Sequence, residues 1–576
     1  MSTSSELAST PFGDEHVDEV GLDQAIAAVH ARREHWSSVG AAARAQLLDA
    51  VRLSIAAAAP AWLAEACAVK GLDPESPAAG EELLSGIGSL VRLVTSLQTS
   101  LRDIAAHGRP RYPGPVRHHA GNRISVGVLP TSLLDRVIFT GISGEVWFQP
   151  GVDEAQVRAE QAAAYQHPHQ AGVSLVLAAG NVASLGPKDA LDKLFIEGQV
   201  VVMKSNPVNE YLVAHWERAL APLIDEGVLR IVRGGAGTGA YLVEHPLIDD
   251  IHITGSDATY DAIMFGVGDE RARRKAADEP RLTKPISAEL GNVSPVIVVP
   301  GQWSDKELAY QAAHVATMLT NNAGFNCLTP RVLITHRGWA QREDFLRVLE
   351  SVLSTIAARR AYYPGARQRW STFMASHPDA AVIGDDQGDH LPWTVLRDVA
   401  SVDHAATAFT KEAFCSLMAE TALEAHSTEA FLDAAVDFCN DVVWGTLSMT
   451  LLIDPRTAKV PAVSAALTRA VENLRYGTVG VNVWHAMGFL GGTTTWGAFP
   501  GHHRTDIQSG TGVVGNAYMF QRVEKTVLHG PFVSFPRPGW FCTNRHGYRL
   551  LQQLFTVQVT QRWRHVPALL ATALRR

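Results

Sequence analysis

Apolar and polar positions divide this chain into zones of different period. Over residues 20–105, Ala and Leu recur at intervals of three and four, as in AAARAQLLDAVRLSIAAAA, which predicts a helical arm. The Pro/Gly cluster HGRPRYPGPV (107–116) breaks that period. Two runs rich in Val, Ile and aromatics follow, NRISVGVLP and RVIFTGISGEVWFQP, and together they predict a long hairpin. From residue 172 short apolar runs alternate with helical segments: GVSLVLAAG, PKDALDKLFIEG, QVVVMKS, EYLVAHWERALAPLIDEG, RIVRGG, a further helix, then DIHITGS. Such alternation implies βαβ units and a parallel sheet covered on both faces. A second alternating set starts near Ser294 with SPVIVVP, ELAYQAAHVATMLTNN, RVLITH and FLRVLESVL, and continues to about residue 500. NAYMFQRVEKTVLHG (516–530) predicts a last strand. The basic, Leu-rich tail 537–576 fits a terminal helix docked on the body, or an amphipathic helix lying on a membrane surface.

Composition narrows the classes. With 576 residues, 46% hydrophobic and 19% charged, the chain is a globular protein of more than one domain. A net charge of -8 with scattered Lys and Arg argues against nucleic acid as a partner. The five cysteines (Cys67, Cys327, Cys415, Cys439, Cys542) are odd in number and form no CxxC pair, so neither a disulfide framework nor a metal site is expected, and a reducing cytoplasm fits. The polar start, 1–16, reads as a loose tail without a secretory pattern. The apolar stretch 53–69 is interrupted by Pro60 and Glu65, so no transmembrane helix is expected; the tail leaves peripheral membrane contact open.

The candidate chemistry lies at the ends of the predicted strands. Cys327, in NNAGFNC between a helix and a strand, is placed where a thiol is exposed and its pKa lowered, as a nucleophile needs. A lone cysteine is more often a small buried apolar residue, so its neighbours decide. Glu289, in SAELGNVSP, has apolar flanks that raise a buried carboxylate toward the range of a general base. Asn181 follows a buried strand, where an amide can donate to a developing oxyanion. Lys204 ends QVVVMK, Gly255 and Ser256 sit at a strand-to-helix junction that attracts phosphate, and GGAGTGA supplies Gly235 and Gly239 as a weak phosphate loop.

In this order the segments resemble the aldehyde dehydrogenase superfamily over about residues 120–530. AAGN matches the family's catalytic asparagine and Lys204 its cofactor lysine, 23 positions later. Glu289-Leu290-Gly291-Asn292-Val293-Ser294-Pro295 resembles its general-base motif, and Asn322-Ala323-Gly324-Phe325-Asn326-Cys327 its nucleophile motif. Glu412-Ala413-Phe414 is similar to its E-x-F, and Thr254-Gly255-Ser256 to its cofactor-contacting strand end. The departures mark a divergent branch: Gly180 replaces the usual Trp, Asn292 a glycine, and Pro207 the acidic residue that favours NAD, so NADP is as plausible as NAD.

The resemblance implies an α/β fold with two parallel-sheet domains, a Rossmann-like NAD(P)-binding domain (156–293) and a catalytic domain (294–505). Around them it places a tail and helical arm (1–115), an oligomerisation hairpin (116–155), its return strand (506–536) and a C-terminal extension (537–576). It further implies a homodimer or homotetramer in which hairpin and return strand pair between subunits. Cys327 then attacks an aldehyde, the Asn181 amide and the Cys327 N–H hold the oxyanion, and Glu289 activates the water that releases the acid. AAGNVASL and the hairpin also look like fatty acyl-CoA reductases, in which CoA replaces water. A non-catalytic protein that keeps the fold is the third reading.

Overall fold

The computed structural model describes residues 17–167 and 171–575, so the tail expected at 1–16 lies outside the described residues. In the first α/β unit, Val173–Leu177 is central, flanked by Val200–Lys204 and Leu229–Val232 on one side and by Asp250–Thr254 and Ile286–Glu289 on the other, all parallel. Gly510–Thr511 closes the edge antiparallel to Ile286–Glu289. Every residue of VSLVL and VVVMK is buried, because helices cover both faces and the strands have no solvent side to alternate toward. The register pairs Leu177 with Lys204 and Thr254 with Glu289, so the carboxyl ends of these strands open on one edge.

The second sheet has eleven strands. Val523–His529, Thr478–Val481, Ser448–Leu452, Ser294–Val298, Pro330–His336, Leu417–Leu423 and Trp393–Leu396 run parallel, and Ala381–Ile383 ends the row antiparallel. Beyond Val523–His529 the sheet continues antiparallel through Ser143–Phe148, Arg123–Leu129 and Val116–His119.

Two expectations are corrected here. The segment RVIF is not strand: its first three residues finish the helix Leu133–Ile138, which Ser132 caps and which Arg92 holds by an ion pair of 2.6 Å to the buried Asp135. β-Propensity yields to a cap and a buried charge pair. The pairing of hairpin and return strand expected between subunits is made within one chain, since Val523–His529 bonds Ser143–Phe148 on one edge and Thr478–Val481 on the other.

The arm centres on Ala41–Lys70, a 30-residue helix packed on Ser89–His107 and Val213–Ala219. Contrary to the reading of 53–69, it is long and apolar enough to cross a membrane by length and composition (mean hydropathy 1.4). One face joins the main core through Leu48, Val51, Ile55 and Trp62. The tail docks: Gly547–Thr560 buries Leu550, Leu551 and Val557 against Pro77–Glu81 and the π-helical turn Glu82–Gly88.

Val146 and Thr526 are register partners in antiparallel strands. Their Cα atoms are therefore about 4.5–5.5 Å apart, within reach of a disulfide. Oxidised Val146→Cys/Thr526→Cys protein is expected to run at single-chain mass on a non-reducing gel; a disulfide-linked dimer would return the pairing to the subunit interface.

Candidate active site

Three polar groups meet where the two sheets abut. Glu289 is the last residue of Ile286–Glu289, and Asn181 lies in the turn after Val173–Leu177. Cys327 sits in the loop between the turn Asn321–Gly324 and the strand Pro330–His336. The Cys327 thiol donates to Glu289 Oε1 at 3.2 Å, and the Asn181 amide donates to the Phe325 carbonyl at 2.9 Å, which holds it beside the sulfur's loop.

That loop is bent by three consecutive left-handed residues, Asn322 (φ 50°), Ala323 (55°) and Gly324 (79°). At Gly324 a Cβ would lie 2.4 Å from the Cys415 carbonyl oxygen, so glycine is required. Elsewhere the bend is held by side chains. The Asn322 amide donates to Asn181 O (3.0 Å), Phe325 O (3.2 Å) and Asn326 Oδ1 (3.0 Å), while its own Oδ1 accepts from Lys70 Nζ at 3.2 Å and Tyr362 Oη at 2.9 Å. Arg331 grips the other side, donating to the carbonyls of Gly324, Cys415 and Leu417.

Burial dominates the electrostatics. Glu289 is 2% exposed. Its pKa is raised by burial, with the Cys327 thiol, the Trp496 indole and Lys188 pulling it back. The rise agrees with the expectation from its apolar flanks. For Cys327 the expectation fails: burial first, then the charges of Glu289 and Glu412, push the thiol well above its ordinary value. A thiolate beside carboxylates in a low dielectric is disfavoured, so proton removal must be done by a base. Glu412 is pushed up to about 7 by burial, opposed by Arg331 and the Asn292 N–H.

A cavity of about 940 Å³ opens from these groups, and all eight residues expected on the cofactor side line it with Asn181, Glu289 and Cys327. Two helix N-termini face it: Gly235 caps Ala236–Glu244, and Ser256 caps Asp257–Phe265, its Oγ accepting from the Thr259 N–H at 3.2 Å. Gly239 lies beside Lys204 on this wall, and a Cβ there would be in ordinary contact with Lys204 Cε at 4.0 Å. Phe414 turns into the cavity wall at φ 42°, and Thr254 differs in spending its hydroxyl on Asp189 at 2.8 Å. A Cβ at Gly291 would meet Glu412 Oε2 at 2.2 Å, so the glycine lets that carboxylate approach. Glu412 Oε1 and Glu289 Oε2 have no hydrogen-bond partner among the described residues. Gly180 has a reason of its own: a Cβ there would lie 2.6 Å from Asn206 Oδ1, which leaves no space for a Trp. Asn292 ties the Glu289 segment to the second sheet through Ser294 Oγ (2.9 Å) and Ser448 O (2.8 Å).

On the other side of Cys327 lies a small apolar cavity of about 30 Å³ walled by Leu84, Leu328, Trp484, Phe489, Leu490 and Trp496. Phe499 lies apart from these aromatics, near Lys525. Sequence reading missed Lys70, Arg331 and the structural use of Asn322; only the polar run NNAG hinted at the left-handed bend.

Because the charge of Glu289 helps to raise the thiol, Glu289→Gln is expected to move the midpoint of Cys327 alkylation to lower pH. Rates of iodoacetamide labelling at Cys327, followed by mass spectrometry across pH, check it; an unmoved midpoint would mean that the carboxylate does not oppose the thiolate.

Residues 145–363 match the aldehyde dehydrogenase family. Among curated proteins, the chain is 28% identical over 160 residues to an aldehyde dehydrogenase LUC3 of Fusarium sp, covering 27% of this chain and 31% of that protein. It is 29% identical over 210 residues to N-succinylglutamate 5-semialdehyde dehydrogenase of Erwinia tasmaniensis, covering 36% of this chain and 38% of that one. The matched stretch thus spans about a third of those relatives' lengths. Among solved structures, an aldehyde dehydrogenase of Mycobacterium tuberculosis complexed with NAD+ is similar at TM-score 0.59 and 20% identity, over 88% of this chain and 90% of that one. An NADP-dependent glyceraldehyde-3-phosphate dehydrogenase of Bacillus halodurans complexed with NADP follows at 0.57 and 16%, over 88% and 91%. By fold along most of its length, and by sequence over residues 145–363, the chain is similar to aldehyde dehydrogenases.

Proposed function

We propose that the protein oxidises an aldehyde to a carboxylic acid with NAD or NADP. The observation that carries this is the contact of Cys327 Sγ with Glu289 Oε1 at 3.2 Å on the wall of a cavity that also presents two helix N-termini.

The chain's own residues fit a dinucleotide. The N-terminal ends at Ala236 and Asp257 suit phosphate, and Lys204 is on the same wall. The unpartnered Glu412 Oε1 suits a ribose hydroxyl. No acidic side chain stands at Pro207, so the reading includes both cofactors. Bound there, the nicotinamide supplies a hydride acceptor.

The remaining work belongs to protein groups. Glu289 takes the thiol proton, which the raised thiol does not release unaided, and the sulfur adds to the carbonyl carbon. Asn181 Nδ2 and the Cys327 N–H stabilise the oxyanion. After hydride loss a thioester remains on Cys327, and Glu289, once it has passed the thiol proton on, deprotonates the water that cleaves it. The apolar walls beside Cys327 favour an aldehyde with an apolar body.

The test is a panel of aldehydes run with NAD and NADP, each with and without CoA. Formation of NAD(P)H is expected without CoA, lost in Cys327→Ala and lowered about 10²–10³-fold in Asn181→Ala. Turnover only with CoA would transfer the acyl group to a thiol; equal rates in Cys327→Ala would end the proposal.

A further inference from the structure

The helix Leu185–Phe195 is buried along its whole length, although Lys188, Asp189, Asp192 and Lys193 all belong to it. Such groups are costly to bury unless each is paired. Lys188 donates to the Phe489 carbonyl at 2.9 Å, and Lys193 reaches Glu197 at 2.8 Å and Asp250 at 2.5 Å. The aspartates are satisfied on one oxygen only: Asp189 Oδ2 accepts from Thr254 Oγ1 at 2.8 Å, and Asp192 Oδ2 from the Gly515 N–H.

Asp189 Oδ1 and Asp192 Oδ1 have no hydrogen-bond partner among the described residues. Both aspartates wall one cavity of about 90 Å³, together with Glu289, which also lines the large cavity, and Trp496, whose indole faces the Glu289 carboxylate. Glu197, whose side chain is 47% exposed, stands on the same wall. Buried polar atoms are partnered by protein or by water, and this space exceeds what a single water needs.

We infer that this cavity holds a hydrogen-bonded file of water through which Asp189 and Asp192 carry protons from Glu289 to solvent at Glu197. The inference rests on the proposed oxidation. On attack of the thiol Glu289 takes the sulfur's proton, and it must give that proton up before it can take another from water. When the thioester is then hydrolysed, a water O–H bond breaks, its oxygen bonds to the acyl carbon, its proton goes to Glu289, the C–S bond breaks, and Glu289 returns that proton to the departing sulfur as the acid leaves. One proton per turnover therefore has to leave Glu289 between thioester formation and hydrolysis, and the file gives it an exit which avoids the cavity proposed for the cofactor.

The groups that face the aspartates are suited to this. His252, 3.8 Å from Asp189 Oδ2, is held neutral by burial and by Lys193, its pKa pushed down to about 3. Burial raises Asp189 well above the usual carboxylate range, with Glu289 adding to it, and raises Asp192 to about 7 against the pull of the Gly515 N–H and Lys188. Asp192 can therefore hold a proton near neutral pH, and Asp189 is shifted in the same direction. A lysine–aspartate cluster that served only structure would have no need of oxygens left open on a cavity.

Stopped-flow mixing with aldehyde and cofactor, in weak buffer with a pH indicator, reads NAD(P)H and released protons together. In Asp189→Asn and Asp192→Asn, first-turnover NAD(P)H formation is expected at the wild-type rate, with proton release and later turnover slowed at least 10-fold. Unchanged proton release, or slowing of both signals in parallel, would overturn the path. Glu197→Gln, at the exposed end, decides if the aspartate variants do not fold: release should slow and recover with buffer concentration, and wild-type behaviour would overturn the path. The cofactor-free protein gives a second readout, an infrared band of protonated carboxyl near pH 7 to which Asp192 and Glu412 both contribute and which loses the Asp192 share in Asp192→Asn; an undiminished band would also overturn the assignment. Wild-type protein that forms no NAD(P)H with any aldehyde sinks the oxidation itself, whereas active enzyme with unaltered variants sinks only the exit path.

Discussion

The structure depends on one electrostatically awkward contact, a thiol hydrogen-bonded to a carboxylate in a buried seam. Neither group ionises easily there: burial opposes both charges, and each anion opposes the other. The pair is useful because of that penalty, since a proton shared at 3.2 Å is easily passed when a reacting atom arrives. The contact also crosses the join between the two α/β units, because Glu289 ends a strand of the first sheet and Cys327 precedes a strand of the second. A small shift of one unit against the other would separate the two atoms, so packing across the seam supports the chemistry.

What could be read along the chain was local. Asn181, Glu289 and Cys327 stand in short segments whose strand ends and turn residues are visible as pattern, and the structure brings all three onto one cavity wall. The alternating β and helical runs likewise located the strands Val173–Leu177, Val200–Lys204, Leu229–Val232, Asp250–Thr254, Ser294–Val298 and Pro330–His336, whereas Ile286–Glu289, Leu417–Leu423 and Thr478–Val481 were not picked out. What escaped was set by partners distant in sequence. Lys70 acts on Asn322 from 252 residues away, and nothing around LAEACAVKG points there. The direction of the Cys327 shift was misjudged because it is set by burial first and then by Glu289 and Glu412, which come together only when the two sheets meet. PKDALDKLF looks amphipathic until all its sides are covered.

Backbone strain in the nucleophile loop shows the same division of labour. Left-handed conformations at Asn322 and Ala323 cost roughly 1–3 kcal/mol each and persist only where the surroundings enforce them. Here the enforcement comes from the helical arm through Lys70, and from Glu81, whose Oε2 accepts the Asn322 N–H at 2.8 Å. The arm thus acts as a brace for the loop as well as a cover for the first sheet.

The closing strand Val523–His529 has a consequence for how the chain is made. Synthesis runs from the N-terminus, so Ser143–Phe148 leaves the ribosome long before the strand that must lie beside it, and Thr478–Val481 leaves shortly before. Until then each presents a bare row of amides and carbonyls, the kind of edge to which other nascent chains adhere. The interval between emergence of residue 481 and residue 529 is therefore the vulnerable period of biogenesis, when a chaperone or slow translation would most affect yield.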